Sequence, residues 1–166
     1  MARLHAEYAT VIAARPAEIY AILSDYHHGH PQILPKQYFP ALTVEQGGQG
    51  AGTVFRVQTR ALGVERGYRM VVSEPDPGHV LVETDIETDL TTTFTVTPVG
   101  DADYARVQIA TDWESAPGIG GAIEKLVTPL VMRRIYRTEL GQLAAYVASK
   151  RRAAVAADLP ENQASL

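Results

Sequence analysis

TTTFTVTPVGDADYARVQIATDW, residues 91–113, carries the alternation that decides the fold. Phe94 and Val96 before the GDAD turn (100–103), and Val107, Ile109 and Trp113 after it, recur at every second position. That is the period of a strand with one buried face. Folded on GDAD as a hairpin, the register sets Val99 opposite Tyr104, Val96 opposite Val107, Phe94 opposite Ile109 and Thr92 opposite Thr111. Thr91, Thr93, Thr95 and Thr97 then share the wet face with Arg106, Gln108 and Asp112.

Working back toward Ala41, the chain reads as strand after strand, punctuated by Gly, Pro and Asp clusters. A turn near Thr88 predicts Ile86 opposite Leu90, Thr84 opposite Thr92 and Val82 opposite Phe94. The turn EPDPG (74–78) predicts Met70 opposite Val82 and Tyr68 opposite Thr84. Folding at Leu62–Gly63 predicts Phe55 opposite Tyr68 and Val57 opposite Arg66. The expected inward set therefore adds Phe55, Val57, Met70, Val72, Val80, Val82, Ile86 and Leu90, while Arg56, Gln58, Arg60, Glu65, Arg69, Glu83 and Asp85 face water. One wet face and one dry face describe an antiparallel sheet covered on one side.

The cover comes from the flanking segments. HAEYATVIAA (5–14) is a β-prone run, and ARPAEIYAILSDY switches to helical spacing, with Ile19, Ile22, Leu23 and Tyr26 on one face and Pro16 in the first turn. Gly29 and Pro31 end that helix. From Pro117 one long helical pattern runs to Ala154. Its apolar face is expected to carry Ile119, Ile123, Leu126 and Leu130, then Met132, Tyr136, Leu140, Leu143 and Val147. The phase slips near Pro129, which predicts a bend. A bent helix across a curved sheet leaves a gap between them.

The chain has 166 residues, 46% hydrophobic and 20% charged, with a net charge of -4. That is the balance of a globular protein, and it argues against a nucleic-acid binder. The absence of cysteine excludes disulfides and thiolate metal sites and suits the cytoplasm. MARLHAEYATVIAARP has no apolar stretch of signal-peptide length, and no run of apolar residues is long enough to span a bilayer. A single domain over 1–150 is expected, with 151–166 as helix end and frayed tail. No feature of the sequence sets an oligomeric state.

The order of elements, together with RPAEIYAILSDYHHGHP (15–31), EQGGQGAGT (45–53) and IYRTELGQLAAYV (135–147), resembles the START-like (SRPBCC) superfamily. More narrowly it is similar to the polyketide cyclase/dehydrase-type members, over roughly residues 4–150. The resemblance implies an α+β helix-grip fold: a curved antiparallel sheet of about seven strands around a long C-terminal helix, with two short helices between strands 1 and 2. It also implies an elongated apolar cavity for lipids, sterols, hormones or polyketides. Some relatives catalyse aldol cyclisation or dehydration, and others carry or sense a ligand. No cofactor follows from it.

Polar residues on the dry face mark the candidate site, since burying them unpaired costs about 1–3 kcal/mol each. The predicted registers put Tyr68, Thr84, Thr92 and Thr111 in one row, beside Arg66 and Trp113, with polarity rising toward the loops at 61–63, 87–89 and 114–118. Such a gradient suits a ligand with an apolar body and an oxygenated head. The expected ligand-binding set is Tyr26, His30, Phe55, Val57, Arg66, Tyr68, Met70, Val82, Thr84, Thr92, Phe94, Ile109, Thr111, Trp113, Leu130 and Tyr136. Glu139 flanks the helix stripe, open to solvent, to an arginine or to acid–base work.

Three of the five histidines, His27, His28 and His30, fall close together. Gly29 and Pro31 keep His27 and His30 from sharing a helix face, and zinc needs three or four ligands, so no metal site is expected. The preferred reading is a pocket rim, with a general base or ordinary surface histidines as the alternatives. EQGGQGAGT lacks the GK[ST] of a phosphate cradle and runs into a strand, so it reads as a flexible connection. KRR (150–152) suits a helix C-terminus. Three functions follow: a carrier or sensor of a small hydrophobic molecule; a metal-free cyclase/dehydratase; or a partner-binding, co-chaperone-like or quinone-associated domain. In the enzyme reading Tyr68 and Arg66 polarise a carbonyl while His27, His28 or His30 moves protons.

Overall fold

The computed structural model describes residues 2–115 and 117–159, excepting the side chains of 119, 120, 122 and 123. The chain opens with strand β1 (Arg3–Ile12) and two short helices, α1 (Pro16–Ser24) and α2 (His30–Ile33). Six strands follow: β2 (Ala41–Gln46), β3 (Val54–Ala61), β4 (Val64–Asp76), β5 (Val80–Asp85), β6 (Thr91–Val99) and β7 (Tyr104–Glu114). Helix α3 (Gly118–Ala157) closes the described chain. The strands form one antiparallel sheet in the order β1-β7-β6-β5-β4-β3-β2, so the last strand pairs with the first and the two short helices bridge the sheet's edges. This is the α+β helix-grip architecture that the sequence predicts.

The β6–β7 hairpin has the predicted register, Val99 to Tyr104 through Thr92 to Thr111. The β3–β4 hairpin does not. Leu62 and Gly63 form a two-residue turn, both with positive φ (53° and 76°), which suits the twist of a tight hairpin. Ala61 therefore pairs with Val64, Val57 with Tyr68 and Phe55 with Met70, two residues from the expected register. A shift of two preserves which face each side chain takes, so Phe55, Val57 and Met70 remain inward.

On β5 the expectation fails outright. Strand β4 continues through Pro75 to Asp76, its turn closes by a hydrogen bond from His79 N–H to Asp76 O (3.0 Å), and Met70 faces Asp85 rather than Val82. At the next turn the Asp85 carboxylate accepts from the Thr88 amide (3.0 Å), the Thr88 hydroxyl (2.8 Å) and the Arg69 amide (3.0 Å). That capture pairs Thr84 with Thr91, Glu83 with Thr92 and Leu81 with Phe94. An offset of one turns the strand over. Leu81, Glu83 and Asp85 are buried, whereas Val80, Val82 and Thr84 take the outer face and Ile86 is 50% exposed.

Helix α1 buries Ile19, Ile22 and Leu23, as its spacing predicts, and Tyr20 besides; Tyr26, expected on the same face, is buried just past the helix end. Glu18 accepts from the Arg15 amide (3.0 Å) at its start, and Arg151 on α3 reaches both Glu18 (2.7 Å) and Ala13 O (2.9 Å). Pro129 lies inside α3. Leu126 and Leu130, expected on the covered face, are 75% and 66% exposed, and the side chains of Ile119 and Ile123 lie outside the described residues. Beyond Pro129 the expected stripe of Met132, Tyr136, Leu140, Leu143 and Val147 does face inward, joined by Val131, Ile135 and Glu139. The tail expected to fray lies outside the described residues beyond Leu159.

Packing differs along α3. Leu140, Leu143 and Val147 join Ile19, Leu23, Val96 and Val107 in a core where each buried aliphatic side chain contributes about 1.5–3 kcal/mol. Under the Glu124–Glu139 half, sheet and helix stand apart.

Candidate functional site

The gap is a cavity of about 570 Å³. Phe55, Val57, Met70 and Phe94 wall it from the sheet, Val131, Met132 and Ile135 from α3, and Leu34, Tyr38 and Phe39 from the segment after α2. Leu62, Val64, Arg60 and Arg66 line it at the β3–β4 tip, where all four are exposed, so that end is the mouth. The volume and the apolar walls are those of a small-molecule site.

The histidine cluster divides at this wall. The Asp25 carboxylate accepts the amides of His27 (3.1 Å) and His28 (3.0 Å) and turns the chain outward there, leaving the His28 side chain 85% exposed. The His27 ring lies against Gly48, where φ is 121° and a Cβ would fall 2.0 Å from Nε2. His30 alone points inward, 2% exposed. Tyr26 stacks on its ring at 4.6 Å and on Phe55 at 4.8 Å, while Phe94 meets His30 edge-on at 5.5 Å. The glycine-rich loop, read from sequence as a plain connection, also seats this turn: Tyr26 N–H donates to Gly48 O and Gly50 N–H to Ser24 O, each at 2.9 Å.

Hydrogen bonding fixes the imidazole. Nδ1 donates to Leu23 O at 2.8 Å, which turns Nε2 toward Glu83 Oε1 at 3.6 Å. The Tyr26 hydroxyl donates to the same carboxylate oxygen at 2.6 Å. Burial raises the Glu83 carboxyl above the usual range, and His30 and Tyr26 only partly offset it. From α3, Glu139 reaches the same cavity, 2% exposed and without a hydrogen bond among the described residues. Burial first, and the Glu83 charge second, push its carboxyl well above the usual range.

A hydroxyl chain lies alongside. Tyr136 donates to Thr111 Oγ1, which stands 2.8 Å from Thr92 Oγ1, and burial holds the Tyr136 phenol up. Trp113 Nε1 donates to Glu124 Oε1 at 3.0 Å. Among the described residues no three His, Asp or Glu side chains are grouped as metal ligands.

Of the expected binding residues, the structure gathers His30, Phe55, Val57, Arg66, Tyr68, Met70, Thr92, Phe94, Thr111, Trp113 and Tyr136 around the cavity. Tyr26 stands behind His30, and Ile109 is packed into the core off the cavity wall. Val82 and Thr84 lie on the outer face because β5 is turned over, and Leu130 points away from the sheet. The polar row is therefore Glu83, Thr92 and Thr111, not Tyr68, Thr84, Thr92 and Thr111. Polarity also runs otherwise than expected: buried carboxyls at the inner end, guanidinium groups at the mouth. Glu83 was hidden by the one-residue slip. Glu139 was readable, since it follows Tyr136 and Ile135 by three and four positions on the buried helix face.

A family model described as "Polyketide cyclase / dehydrase and lipid transport" matches residues 3–148. Comparison with curated proteins gives no match. Among solved structures, the KanY protein is 32% identical, with 89% of this chain and 99% of that one covered and a TM-score of 0.76. The Zhui aromatase/cyclase from Streptomyces sp. R1128 is 18% identical, covering 92% and 98%, with a TM-score of 0.76. A START superfamily protein from Mycobacterium smegmatis is 17% identical, covering 87% and 97%, with a TM-score of 0.68. At those lower identities the last two show the shared fold. No helix among the described residues is long and apolar enough to cross a membrane. On its own sequence match over residues 3–148, the chain belongs to the polyketide cyclase/dehydrase and lipid transport family.

Proposed function

We propose that the chain binds a small, mainly apolar carbonyl compound in this cavity and performs acid–base chemistry on it of the cyclase/dehydratase kind, in the cytoplasm. The observation that carries the reading is His30 Nε2 facing Glu83 Oε1 at 3.6 Å on the wall of an apolar cavity. The imidazole, its tautomer set by Leu23 O so that Nε2 is an acceptor, and the carboxyl beside it form an acid–base pair next to a dry substrate seat. A C–H next to the carbonyl passes its proton to Nε2, and its electron pair forms the enolate. With Thr111 donating onward to Thr92, the Thr92 hydroxyl is left to hold the enolate oxygen. In dehydration a β-hydroxyl then leaves as water, taking the proton back from the His30–Glu83 pair as the C=C bond forms. Tyr68 and Arg66, nearer the mouth, orient the rest of the substrate.

The test is dehydration of a small aromatic β-hydroxy ketone, followed by the absorbance of the enone product. His30→Asn and Glu83→Gln are each expected to lower turnover by about 10²–10⁴-fold while changing ketone binding only a few-fold. Equal turnover by wild type and both variants would sink the proposal. Binding without turnover would instead favour carriage of a lipid-like molecule, the second reading, which the apolar walls and the family's lipid-transport description support.

A further inference from the structure

We infer that the inner end of the cavity is a seat for an organic ammonium group, so that the ligand is an apolar molecule bearing a basic nitrogen held against Glu139. The inference rests on the cavity being a ligand site and names the class of ligand it takes. Glu139 is buried, lines the cavity and has no hydrogen-bond partner among the described residues. A buried carboxyl of that kind is stable as an anion only beside a cation. The protein supplies none there: Arg60 and Arg66 stand exposed at the mouth, and the His30 Nε2 faces Glu83 rather than Glu139.

The surroundings point the same way. The titratable groups sharing this inner wall are Glu83 from β5, His30 from α2 and Tyr136 on α3 itself, with Tyr26 behind His30. Two carboxyls against one imidazole leave the wall attractive to positive charge. Phe55 and Phe94, both on the cavity wall, add ring faces that attract a cation in a dry site. Burial and then the Glu83 charge push the Glu139 carboxyl well above the usual range, which favours its protonated form when no cation is beside it. An entering ammonium group stabilises the carboxylate, so the proton leaves to solvent as the ligand binds. Affinity for the ammonium form therefore rises with pH until the amine itself loses its proton.

The probes are 1-naphthylmethylamine and 1-naphthylmethanol, alike in shape and differing in charge, titrated into the full chain by calorimetry at pH 8. The amine is expected to bind at least about tenfold more tightly, as a charge-assisted contact in a buried site allows. Titration at pH 6 in two buffers of different ionisation enthalpy should show net proton release with the amine and none with the alcohol. Glu139→Gln should abolish the preference and the proton release while retaining the alcohol. Equal binding of both probes by the wild type, or amine binding without proton release, overturns the ammonium seat and leaves the ligand cavity standing. A carbonyl-seeking acid at Glu139 would show itself in that way. Binding of neither probe overturns the cavity reading and this inference together. The wild-type proton count needs no variant, so it stands even where Glu139→Gln fails to fold.

Discussion

Glu45 and Glu139 are the same side chain in opposite circumstances. Glu45 lies exposed on β2 near the sheet's edge, between the guanidinium groups of Arg69 (2.7 Å) and Arg56, which hold its carboxyl below the usual range, Arg69 most strongly. Glu139 lies inside, with no such neighbour, and burial drives its carboxyl the other way. On the outer face Glu45 meets two opposite charges, and water does the rest. On the inner face Glu83 and Glu139 line one cavity, and the one imidazole there stands beside Glu83. Stability alone does not favour that arrangement, because an apolar residue of similar volume avoids the cost of burying the charge. The difference teaches that the inner polar groups answer to what enters the cavity.

The sharpest way to break this contrast is to neutralise one carboxyl on each side. Glu83→Gln is expected to cost about 10²-fold or more in turnover of the aromatic β-hydroxy ketone, with Glu45→Gln indistinguishable from wild type in the same assay. If both variants lose activity alike, the inner face holds no special chemistry. The pH–rate profile adds a second reading, because the limb belonging to the Glu83 carboxyl should vanish in Glu83→Gln.

Glu139→Gln should raise stability at pH 8, where the buried carboxyl must either take up a proton or bury a charge and the amide does neither. The sign follows from linkage. The Glu139 carboxyl has a higher pKa folded than unfolded, so above the unfolded value the unfolded chain binds fewer protons and wild-type stability falls as pH rises toward the folded value. Below the unfolded pKa both states are protonated, and the advantage of the variant should fade toward pH 4. Urea melts at the two pH values measure it. A variant that is less stable at pH 8 would mean that Glu139 has a partner in solution.

The same inner–outer distinction explains what could be read from the sequence. The 91–113 hairpin was legible because its two phases disagree sharply, threonine and charge against Phe94, Val96, Val107 and Ile109. In VLVETDI (80–86) Val80, Val82 and Ile86 favour one face and Leu81 alone the other, so counting apolar residues points the wrong way. The hydrogen bonds of Asp85 to Thr88 and Arg69 settle the register against that count. Turn chemistry outweighed hydrophobic match. Parity is also blind to the shift of two at Leu62–Gly63, which moved every cross-strand partner but no residue's face. For His27, His28 and His30 the deciding contacts come from Leu23, Gly48 and Glu83, parts of the chain whose meeting no local pattern announces.

A smaller test concerns the link between Tyr26 and Glu83. Tyr26→Phe removes the donor at 2.6 Å, keeps the ring stacked between His30 and Phe55, and should cost about 1 kcal/mol in a urea melt. The Tyr26 hydrogen bond lowers the Glu83 pKa, so its loss should move the Glu83 titration further up, measurable by carboxyl NMR. No move, or a downward one, would show that the Tyr26 hydroxyl does not stabilise the Glu83 carboxylate.

The smallest effect should be that of Glu45→Gln on stability. Its carboxyl titrates lower folded than unfolded, so its contribution is present above the unfolded pKa and is lost as pH falls through the folded one, the reverse of Glu139. Both arginine partners are exposed, and salt screens such pairs. The melting point at pH 7 should therefore drop slightly in low salt, and the difference should close at high salt. A loss in Glu45→Gln that exceeds that of Tyr26→Phe and survives high salt would place real stabilisation on the outer face. The buried carboxyls could then no longer be set apart as the groups held in place for a ligand.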